Sequence, residues 1–526
     1  MDPVAKILGA DVELGNVIEN GHAAAMPNDR AARLLLAQIE GVPGSGVGIN
    51  PYAVYGGYAG YASYGSRGGY SRAADGAQVE HDPQDWGRKF LTTNGGCAYI
   101  DLGHLELCIP EVRSARDFVC HHQANLALAR SAREAAAARL HDGQRLVVMA
   151  NNSDRLGNSW GGHLNVLITR ELWRRIFERM YPELFVIAAF QTSSILYTGQ
   201  GKVGSENTQP WVPYQITQRG DFFECLVGEQ TTYRRPIINA RDEAHCGPAS
   251  GGLELARLHV IFHDTTLTPV SNYLKAGVSQ LVLALLETGW CDKQLMLANP
   301  LDALTAWGHD PDLGASAALA DGRSITAIAH QRLFLEPVKA FVARGDASCV
   351  PDAQEIVALW EDTLDRLERR SADDTEVLAR RLDWVLKREL LSRAIARHPG
   401  LDWASPAIRA ADLRFASLGG DGLYDAVAAV SGVDAWVTEA ELERAQRVPP
   451  EDTRAWLRTM LLRQAGPRGI ARVNWDEVCL NPAAAREPPL VVRLDDPRCH
   501  TRADVQSHWA ASQAGLTQAG PIPVAT

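Results

Sequence analysis

The stretch NGGCAYIDLGHLELCIPE, residues 94–111, alternates apolar and polar side chains as a half-buried β-strand does. The apolar side chains change phase by one residue near Gly103, and a β-bulge at that glycine would absorb the change. The pattern therefore predicts one bulged strand that gathers four polar side chains on a single face. These are Tyr99, Asp101, His104 and Glu106.

Chain length and composition are those of a folded globular protein with more than one domain. The 526 residues are 46% hydrophobic and 22% charged. A chain of this length exceeds one ordinary core, so we expect a large domain and at least one smaller one. The 52 basic and 63 acidic residues give a formal net charge of −11, without a basic run of the nucleic-acid-binding type. The charge pattern predicts no nucleic-acid partner.

Hydropathy and cysteine usage indicate a cytoplasmic protein. Residues 1–15 contain no apolar core of signal-peptide length, and apolar runs such as residues 184–190 are too short to span a bilayer. We therefore expect no membrane partner. The nine cysteines are dispersed and form no CxxC pair, which is typical of reduced thiols and not of a disulfide framework or a zinc site.

The order of the predicted elements favours an α+β fold. Strand patterns of irregular spacing fill the first half of the chain, and beyond about residue 270 the pattern is mostly helical. We predict a catalytic domain over residues 1–435 and a small C-terminal domain over residues 436–526. Residues 41–78 are rich in glycine and tyrosine, which predicts a long loop insertion. A disordered insertion and a lid over an active site are both compatible with this composition.

Acidic, imidazole and guanidinium side chains concentrate in a few segments. Hard divalent cations such as Mg²⁺ take oxygen ligands, and closely spaced arginines bind phosphate oxygens. The combination favours a metal–nucleotide site assembled from separate strands. The segments are GADVELG (9–15), NGGCAYIDLGHLELCIPE (94–111), NNSDRLGNSWGGHLN (151–165) and TTYRRPIINARDEAHCG (231–247).

Each segment also has a purely structural interpretation. The arginines and acids of residues 231–247 are compatible with a surface salt-bridge network. His163 is compatible with a capped loop histidine, and Asp11 and Glu13 with the solvated face of an edge strand. The coincidence of all the segments in one chain is what favours a shared site.

The segments resemble, in the same order, motifs of the Pup ligase and Pup deamidase/depupylase family, whose members are relatives of glutamine synthetase. GADVELG resembles the family's G-T-E-x-E-Y-G, and residues 94–111 resemble N-G-A-R-x-Y-x-D-x-x-H-P-E-Y-x-x-P-E. NNSDRLGNSWGGHLN resembles N-N-x-D-x-x-G-x-S-Y-G-x-H-E-N. The likeness continues to VNWDEV (473–478) and so covers almost the whole chain. QRGDFFE (218–224) and a long insertion after the first helix are closer to the depupylase than to the ligase.

The resemblance carries expectations about fold, cofactors and partners. It implies a glutamine synthetase-like large domain, in which a mixed or antiparallel sheet forms a cradle covered by helices, together with a small C-terminal domain. It implies ATP and Mg²⁺ as cofactors. The implied partners are a Pup-like protein or pupylated proteins, and the alternative substrates are a small amine or glutamate.

The resemblance also implies roles for single residues. Asp101 matches the family's catalytic aspartate and would act as nucleophile or as base. His104 is interpreted as structural. The first metal position would be held by Glu13, Tyr99 and Glu106, the second by Asp11, His163 and His245, and the nucleotide phosphates would meet Arg219, Arg235 and Arg241.

Several positions depart from the family motifs. Asp11 replaces a glutamate and so shortens the reach of a metal ligand by one methylene. The remaining departures replace polar or bulky motif residues while the ligands keep their type, which implies a preserved reaction core with altered substrate surroundings. They are Cys97 for arginine, Leu105 for proline, Leu107 and Trp160 for tyrosine, and Leu164 for glutamate.

Three functions are compatible with the sequence. The first is an ATP- and magnesium-dependent amidohydrolase that acts on a side-chain amide or isopeptide, as a Pup deamidase/depupylase does. The second is an ATP-dependent carboxylate–amine ligase that works through an acyl phosphate. The third is an inactive nucleotide-binding regulator, which the altered positions suggest and the retained ligands oppose.

Overall fold

The computed structural model has an α+β fold, as the sequence predicts. It describes residues 3–20, 23–26, 28–44, 85–179, 182–247, 249, 252–482 and 489–499. The strands are β1 (Leu8–Asn20), β2 (Ala23–Met26), β3 (Val42–Pro43), β4 (Asp85–Phe90), β5 (Cys97–Asp101), β6 (His104–Cys108), β7 (Arg145–Met149), β8 (Gly162–Thr169), β9 (Lys202–Val203), β10 (Tyr214–Gln215), β11 (Phe223–Gly228), β12 (Arg235–Asn239), β13 (Leu255–Val260), β14 (Ser316–Ala318), β15 (Ser324–Thr326), β16 (Ile470–Val473), β17 (Glu477–Leu480) and β18 (Leu490–Arg493).

Most of the helices follow the large sheet in the chain. They are α1 (Asn28–Leu36), α2 (Ala115–Ala137), α3 (Arg170–Phe177), α4 (Pro182–Thr198), α5 (Pro269–Glu287), α6 (Pro300–Gly308), α7 (Ala327–Ala343), α8 (Ala353–Arg369), α9 (Ala372–Ala379), α10 (Asp383–Arg397), α11 (Pro406–Phe415), α12 (Leu423–Ser431), α13 (Glu439–Arg447) and α14 (Arg454–Gly469). Among the described residues, no helix is both long enough and apolar enough to cross a membrane. The cytoplasmic location stays a prediction.

The opening stretch folds as a β-hairpin, so the prediction of a single bulged strand is wrong. Strand β5 ends at Asp101, Leu102 and Gly103 form a two-residue turn with positive φ at both positions, and β6 begins at His104. Positive φ at both central residues is the requirement of a type I′ turn, whose twist matches that of antiparallel strands. The side chain of Asn16 fixes this turn, because it donates to Gly103 O at 3.0 Å and accepts from Leu105 N at 2.9 Å.

The hairpin still places the predicted side chains on one face. Tyr99 lies directly opposite Glu106, and Asp101 lies opposite His104. Directly opposed residues of an antiparallel pair point to the same face, so all of these side chains share it. The phase change near Gly103 therefore marked a chain reversal, which has the same effect on the alternation as a bulge.

The hairpin belongs to a nine-stranded sheet with the order β13-β8-β1-β6-β5-β4-β3, to which β2 and β7 are added by pairing with β1. One face is apolar and packs under the helices, with Leu14, Leu105 and Leu107 in one core cluster and Leu164 in another. Period-two alternation then puts Asp11 and Glu13 of β1 on the opposite face. That face is the cradle that the resemblance implies.

The C-terminal region packs against strands β3–β6 of the large sheet. Strands β16, β17 and β18 form a separate three-stranded sheet, and with α14 they share an apolar cluster with Phe90, Cys97 and Cys108. The domain boundary at residues 435/436 stays a prediction. Of the loop predicted over residues 41–78, Val42 and Pro43 form strand β3 of the large sheet, and residues 45–78 lie outside the described residues.

Candidate active site

Carboxylates from three strands meet at the centre of the cradle. Glu13 of β1 lies opposite Glu106 of β6, and Glu106 in turn lies opposite Tyr99 of β5. Ligand oxygens of Glu13, Asp101 and Glu106 lie within 4.8 Å of one another. Asp101 is half-buried, whereas Glu13 and Glu106 are buried. Of these carboxylates, Asp101 is therefore the one most accessible to a substrate.

Glu106 carries an unfavourable charge in this cluster. Its side chain is only 2% exposed. Burial, followed by the negative charges of Asp11, Glu13 and Asp101, raises the pKa of Glu106 well above its ordinary value. The hydroxyl of Tyr99 donates to Glu106 and offsets part of this effect. A divalent cation among these oxygens would neutralise the crowded charges, so the donor set fits Mg²⁺.

Tyr99 lies between the carboxylates and a cation. Its ring contacts the Arg88 guanidinium, whose central carbon is 4.2 Å from the ring centroid. Burial, then the neighbouring Cys108 and Glu106, raises the pKa of the Tyr99 phenol well above its ordinary value. The phenol therefore stays protonated near neutral pH and orients Glu106 by its hydrogen bond.

A second group of metal-ligand type lies beside the first. Asp11 of β1 is opposite His163 of β8, and His163 Nδ1 lies 3.3 Å from Asp11 Oδ2. The imidazole of His259 on β13 completes this group, with ligand atoms within 4.8 Å. Burial, and then Arg257, lowers the pKa of His259 well below its ordinary value, which keeps the imidazole neutral as a metal ligand requires.

His259 was not predicted as a ligand; the family resemblance implies His245 at this position. His245 is not a member of any group of potential metal ligands found in the described part of the chain. Its carbonyl oxygen accepts from Arg454 Nη1 at 2.7 Å. The signal for His259 was present in the strand ARLHVIFHD, because Arg257 and His259 alternate there with buried apolar residues. The role predicted for His245 stays a prediction.

Arg257 joins the second group through a polar chain of contacts. Its Nη1 donates to Asn165 Oδ1 at 2.9 Å, and Asn165 Nδ2 donates to Asp11 Oδ1 at 3.3 Å. Neither Arg257 nor Asn165 was predicted from the sequence as a site residue. These two hydrogen bonds orient Asp11 toward His163 and place the positive charge of Arg257 behind Asp11.

Two buried arginines lie next to the carboxylates. Arg219 is 1% exposed, and its Nε and Nη1 have no hydrogen-bond partner among the described residues. Burial lowers the pKa of Arg219, although Glu13 partly offsets the effect. Arg235 donates from Nε to Thr231 O at 2.7 Å and from Nη2 to Ser159 O. Burial and the nearby Arg219 lower the pKa of Arg235 to about 9.

Gly161 leaves room between the arginines and the metal ligands. A Cβ at this position would lie 2.6 Å from Arg219 Nη1 and against His163 Nε2. The Gly161 amide donates to Glu13 Oε2 at 2.8 Å. The unpartnered donors of Arg219, beside an acidic cluster that needs a cation, fit the phosphates of a metal-bound nucleotide.

Arg241 lies at a different part of the site. Its guanidinium is 4.0 Å from Glu243 and is partly exposed. It is near enough to Arg257 and His259 to lower the pKa of both, after the larger effect of burial. It therefore belongs to the His259 side of the cradle, and its predicted contact with nucleotide stays a prediction.

Comparison with known proteins identifies the family. The family model described as Pup-ligase protein matches residues 6–479. The chain belongs to this family. It is 35% identical over 410 residues to the depupylase of Acidothermus cellulolyticus, covering 77% of this chain and 78% of that protein. It is 36% identical over 392 residues to the Pup deamidase/depupylase of Mycolicibacterium smegmatis, covering 74% of each.

Ligases of the family are also similar to this chain. The Pup–protein ligase of a Nocardioides species is 32% identical over 409 residues, covering 76% of this chain and 86% of that protein. The crystal structure of the Pup ligase PafA in complex with the prokaryotic ubiquitin-like protein Pup superimposes with a TM-score of 0.74 at 23% identity, covering 98% of this chain and 92% of that one. PafA in complex with ADP gives a TM-score of 0.67 at 25% identity, covering 84% and 92%. These relatives are enzymes.

The departures from the family motifs fall in two places. Leu105, Leu107 and Leu164 are at most 1% exposed and lie in the apolar clusters under the helices. The inference that these leucines alter the substrate surroundings is therefore wrong, because they face away from the cradle. Trp160 does lie at the site, with its ring centroid 4.7 Å from that of His104. Cys97 shares the cradle face of β5 with Tyr99 and Asp101.

Proposed function

We propose that this protein is an ATP- and magnesium-dependent amidohydrolase of the Pup deamidase/depupylase type. The observation that carries the proposal is the position of Asp101. This half-buried carboxylate is at the end of the hairpin, within 4.8 Å of the buried Glu13 and Glu106. The depupylase relatives are 35% and 36% identical to the chain, and two ligase relatives are 32% and 34% identical.

Asp101 is the group that would react with the substrate. Its carboxylate oxygen attacks the carbonyl carbon of a glutamine side chain or an isopeptide, and the C–N bond breaks as ammonia or the lysine amine leaves with a proton taken from solvent, which hydrolysis of the resulting anhydride later returns. Water then attacks the acyl–Asp101 anhydride, which releases the carboxylic acid and restores the aspartate. If Asp101 acts as a base instead, it deprotonates a water molecule that attacks the amide carbonyl directly, and the products are the same.

The neighbouring side chains position the reacting groups. Glu13 and Glu106 would hold magnesium together with Tyr99, while Asp11 and His163, with His259 or the predicted His245, would hold a second ion. Arg219 and Arg235 would bind the nucleotide phosphates, because their guanidinium groups are buried beside Glu13. Bound Mg²⁺–ATP would supply positive charge and phosphate oxygens that order these side chains and stabilise developing negative charge.

The ligase alternative is favoured by one finding, the likeness to PafA in complex with ADP at 25% identity. In the ligase reaction, a glutamate carboxylate receives the γ-phosphoryl group of ATP. An amine then attacks the acyl phosphate, and phosphate leaves. One mole of ADP then forms for each mole of amide.

A paired assay separates the two reactions. One reaction contains the protein, Mg²⁺–ATP and Pup with a C-terminal glutamine, and the other contains Pup with a C-terminal glutamate and an amine donor. Mass spectrometry follows Pup while ADP is measured. We expect deamidation without stoichiometric ADP in the first reaction, and an amide formed one for one with ADP would support the ligase instead.

Asp101→Asn tests the assignment of the reactive group. We expect at least about a thousandfold loss of deamidation with unchanged ATP binding, because only the attacking carboxylate is removed. The matched control is Asp373→Asn, the same chemical change at an exposed position of α9, which should keep full activity. Activity of Asp101→Asn within tenfold of the unmodified protein would refute the role.

A further inference from the structure

Two thiols face each other at the end of the cradle that the C-terminal region covers. Cys97 of β5 lies directly opposite Cys108 of β6, and they are 0% and 4% exposed. Cβ atoms of directly opposed residues in antiparallel strands are about 4.5–5.5 Å apart, so the two sulfur atoms can approach one ion. Both residues lie in the apolar cluster shared with α14 and the small sheet. The two thiols are therefore shielded from water.

The thiols adjoin two of the carboxylates. Strand β1 pairs with β6 on the side away from β5, and there Asp11 of β1 lies directly opposite Cys108. Ligand atoms of Asp11, Glu106 and Cys108 lie within 4.8 Å of one another. Cys97 is not a member of this group, so its thiol would have to move closer on metal binding to complete a set of two sulfur and two carboxylate donors from three adjacent strands.

We propose that Cys97, Cys108, Asp11 and Glu106 form a site for a thiophilic divalent cation of the zinc type. Thiolate ligands select such ions over Mg²⁺, which prefers oxygen ligands and keeps several waters. Four protein donors are typical of a structural tetrahedral site. Binding deprotonates both thiols, and the two protons pass to solvent.

The site differs in chemistry from the positions described above. Glu13, Asp101 and Glu106 offer oxygen only, and the group around His163 offers oxygen and imidazole nitrogen. Asp11 and Glu106 are shared, so a cation held by the thiols competes with magnesium for these two carboxylates. The family motif has arginine at the position of Cys97, and a guanidinium there would exclude a cation. The site therefore depends on a residue in which this chain departs from the motif.

Cobalt titration of the reduced, full-length protein tests the proposal without substrate or nucleotide. Thiolate ligands give Co²⁺ an intense near-ultraviolet charge-transfer band, which oxygen and imidazole ligands do not. We expect this band to saturate at one equivalent of Co²⁺. We expect Cys97→Ser and Cys108→Ser each to weaken Co²⁺ affinity at the band by at least about tenfold.

Cys120→Ser is the matched control. Cys120 is also a buried thiol near carboxylates, but it lies on α2 in a different apolar cluster. Its replacement should leave the band and its affinity unchanged. A band that is absent, or that is unaffected by both Cys97→Ser and Cys108→Ser, overturns the proposal.

Cadmium-113 NMR of the unsubstituted protein keeps the test valid if the serine variants fail to fold. The chemical shift of ¹¹³Cd moves strongly downfield with each sulfur ligand. A single resonance in the range of mixed sulfur–oxygen coordination supports the site. A resonance in the oxygen-only range overturns it.

Discussion

Glu106 and Glu111 come from the same short stretch of sequence and are both buried, at 2% and 8% exposure, yet their charges are in opposite situations. Glu106 lies among other carboxylates, and its pKa is raised by burial and by Asp11, Glu13 and Asp101. Glu111 lies between two arginines of α14. Burial alone would raise the pKa of Glu111, but Arg458 and Arg454 lower it to about 2.

The junction at Glu111 is complete within the chain. Arg454 Nε donates to Glu111 Oε1 at 2.7 Å, and Arg458 donates to both carboxylate oxygens at 2.9 and 2.7 Å. Arg458 also donates to Gly95 O at 3.1 Å and Trp475 O at 3.0 Å. Glu111 and its two arginines thus connect the segment after β6, α14 and the turn between β16 and β17.

The difference separates a structural carboxylate from a ligand-binding one. A buried charge is tolerated when the chain supplies its counter-charge and hydrogen bonds. At Glu111 the arginines do so, whereas at Glu106 the neighbouring side chains add repulsion. We infer that Glu111 stabilises the folded chain by itself and that Glu106 becomes favourable only with a bound cation.

The largest stability effect is expected for Glu111→Gln. This change leaves Arg454 and Arg458 buried without their counter-charge, so the free energy of unfolding should fall by about 3–5 kcal/mol. Urea denaturation followed by circular dichroism measures the loss. Asp346→Asn removes an exposed partner of Arg344 and should change the value by less than about 1 kcal/mol. Equal effects of the two variants would contradict the structural role of Glu111.

Acid should also destabilise the folded protein by protonating Glu111, and the loss should be somewhat smaller than that caused by Glu111→Gln. The pKa of Glu111 is about 2 in the folded chain against an ordinary value of 4.5. A lowered pKa contributes stability that is complete above pH 4.5 and disappears as the pH falls toward 2. The difference corresponds to about 3 kcal/mol. Across this range the unfolding free energy of the unmodified protein should fall by about 3 kcal/mol more than that of Glu111→Gln.

Glu106→Gln should have a smaller effect of opposite sign. Because the pKa of Glu106 is raised, its ionisation above pH 4.5 costs stability in the folded chain, and glutamine removes this cost. We expect the protein without Mg²⁺ or nucleotide to become more stable, by less than Glu111→Gln destabilises it. The stabilisation that Mg²⁺–ATP gives the unmodified protein should be lost. Thermal melting of Glu106→Gln with and without Mg²⁺–ATP tests both expectations. If Glu106→Gln destabilises the protein as much as Glu111→Gln does, the two carboxylates do not differ in the way inferred here.

The local pattern was a good guide to which side chains share a face. The shared face of Tyr99, Asp101, His104 and Glu106 was predicted because side chains alternate along any strand. The turn was missed because a bulge and a two-residue reversal restore the same phase. Leu105, Leu107 and Leu164 were wrongly expected near the substrate. Comparison with a motif shows that a residue differs, but it does not show toward which face of the sheet that residue points.

Contacts between distant segments were predicted less well. His259 was missed because a histidine in a strand carries no local sign of its neighbours, and the pairing of β13 with β8 brings it to His163. Cys97 and Cys108 show no metal-type spacing in the sequence, since CxxC rules describe loops and not opposed strands. Their proximity follows from the register of the hairpin.

The sequence by itself determined the chemistry available to this protein. Its alternation selects the acids, imidazoles and thiols of each strand that point away from the apolar core, and its motifs identify the family. Only the tertiary structure decided which strands are neighbours, and hence that Asp11 meets both His163 and Cys108. Strand order and register depend on hydrogen bonds and packing between residues far apart in the chain, which local periodicity does not encode.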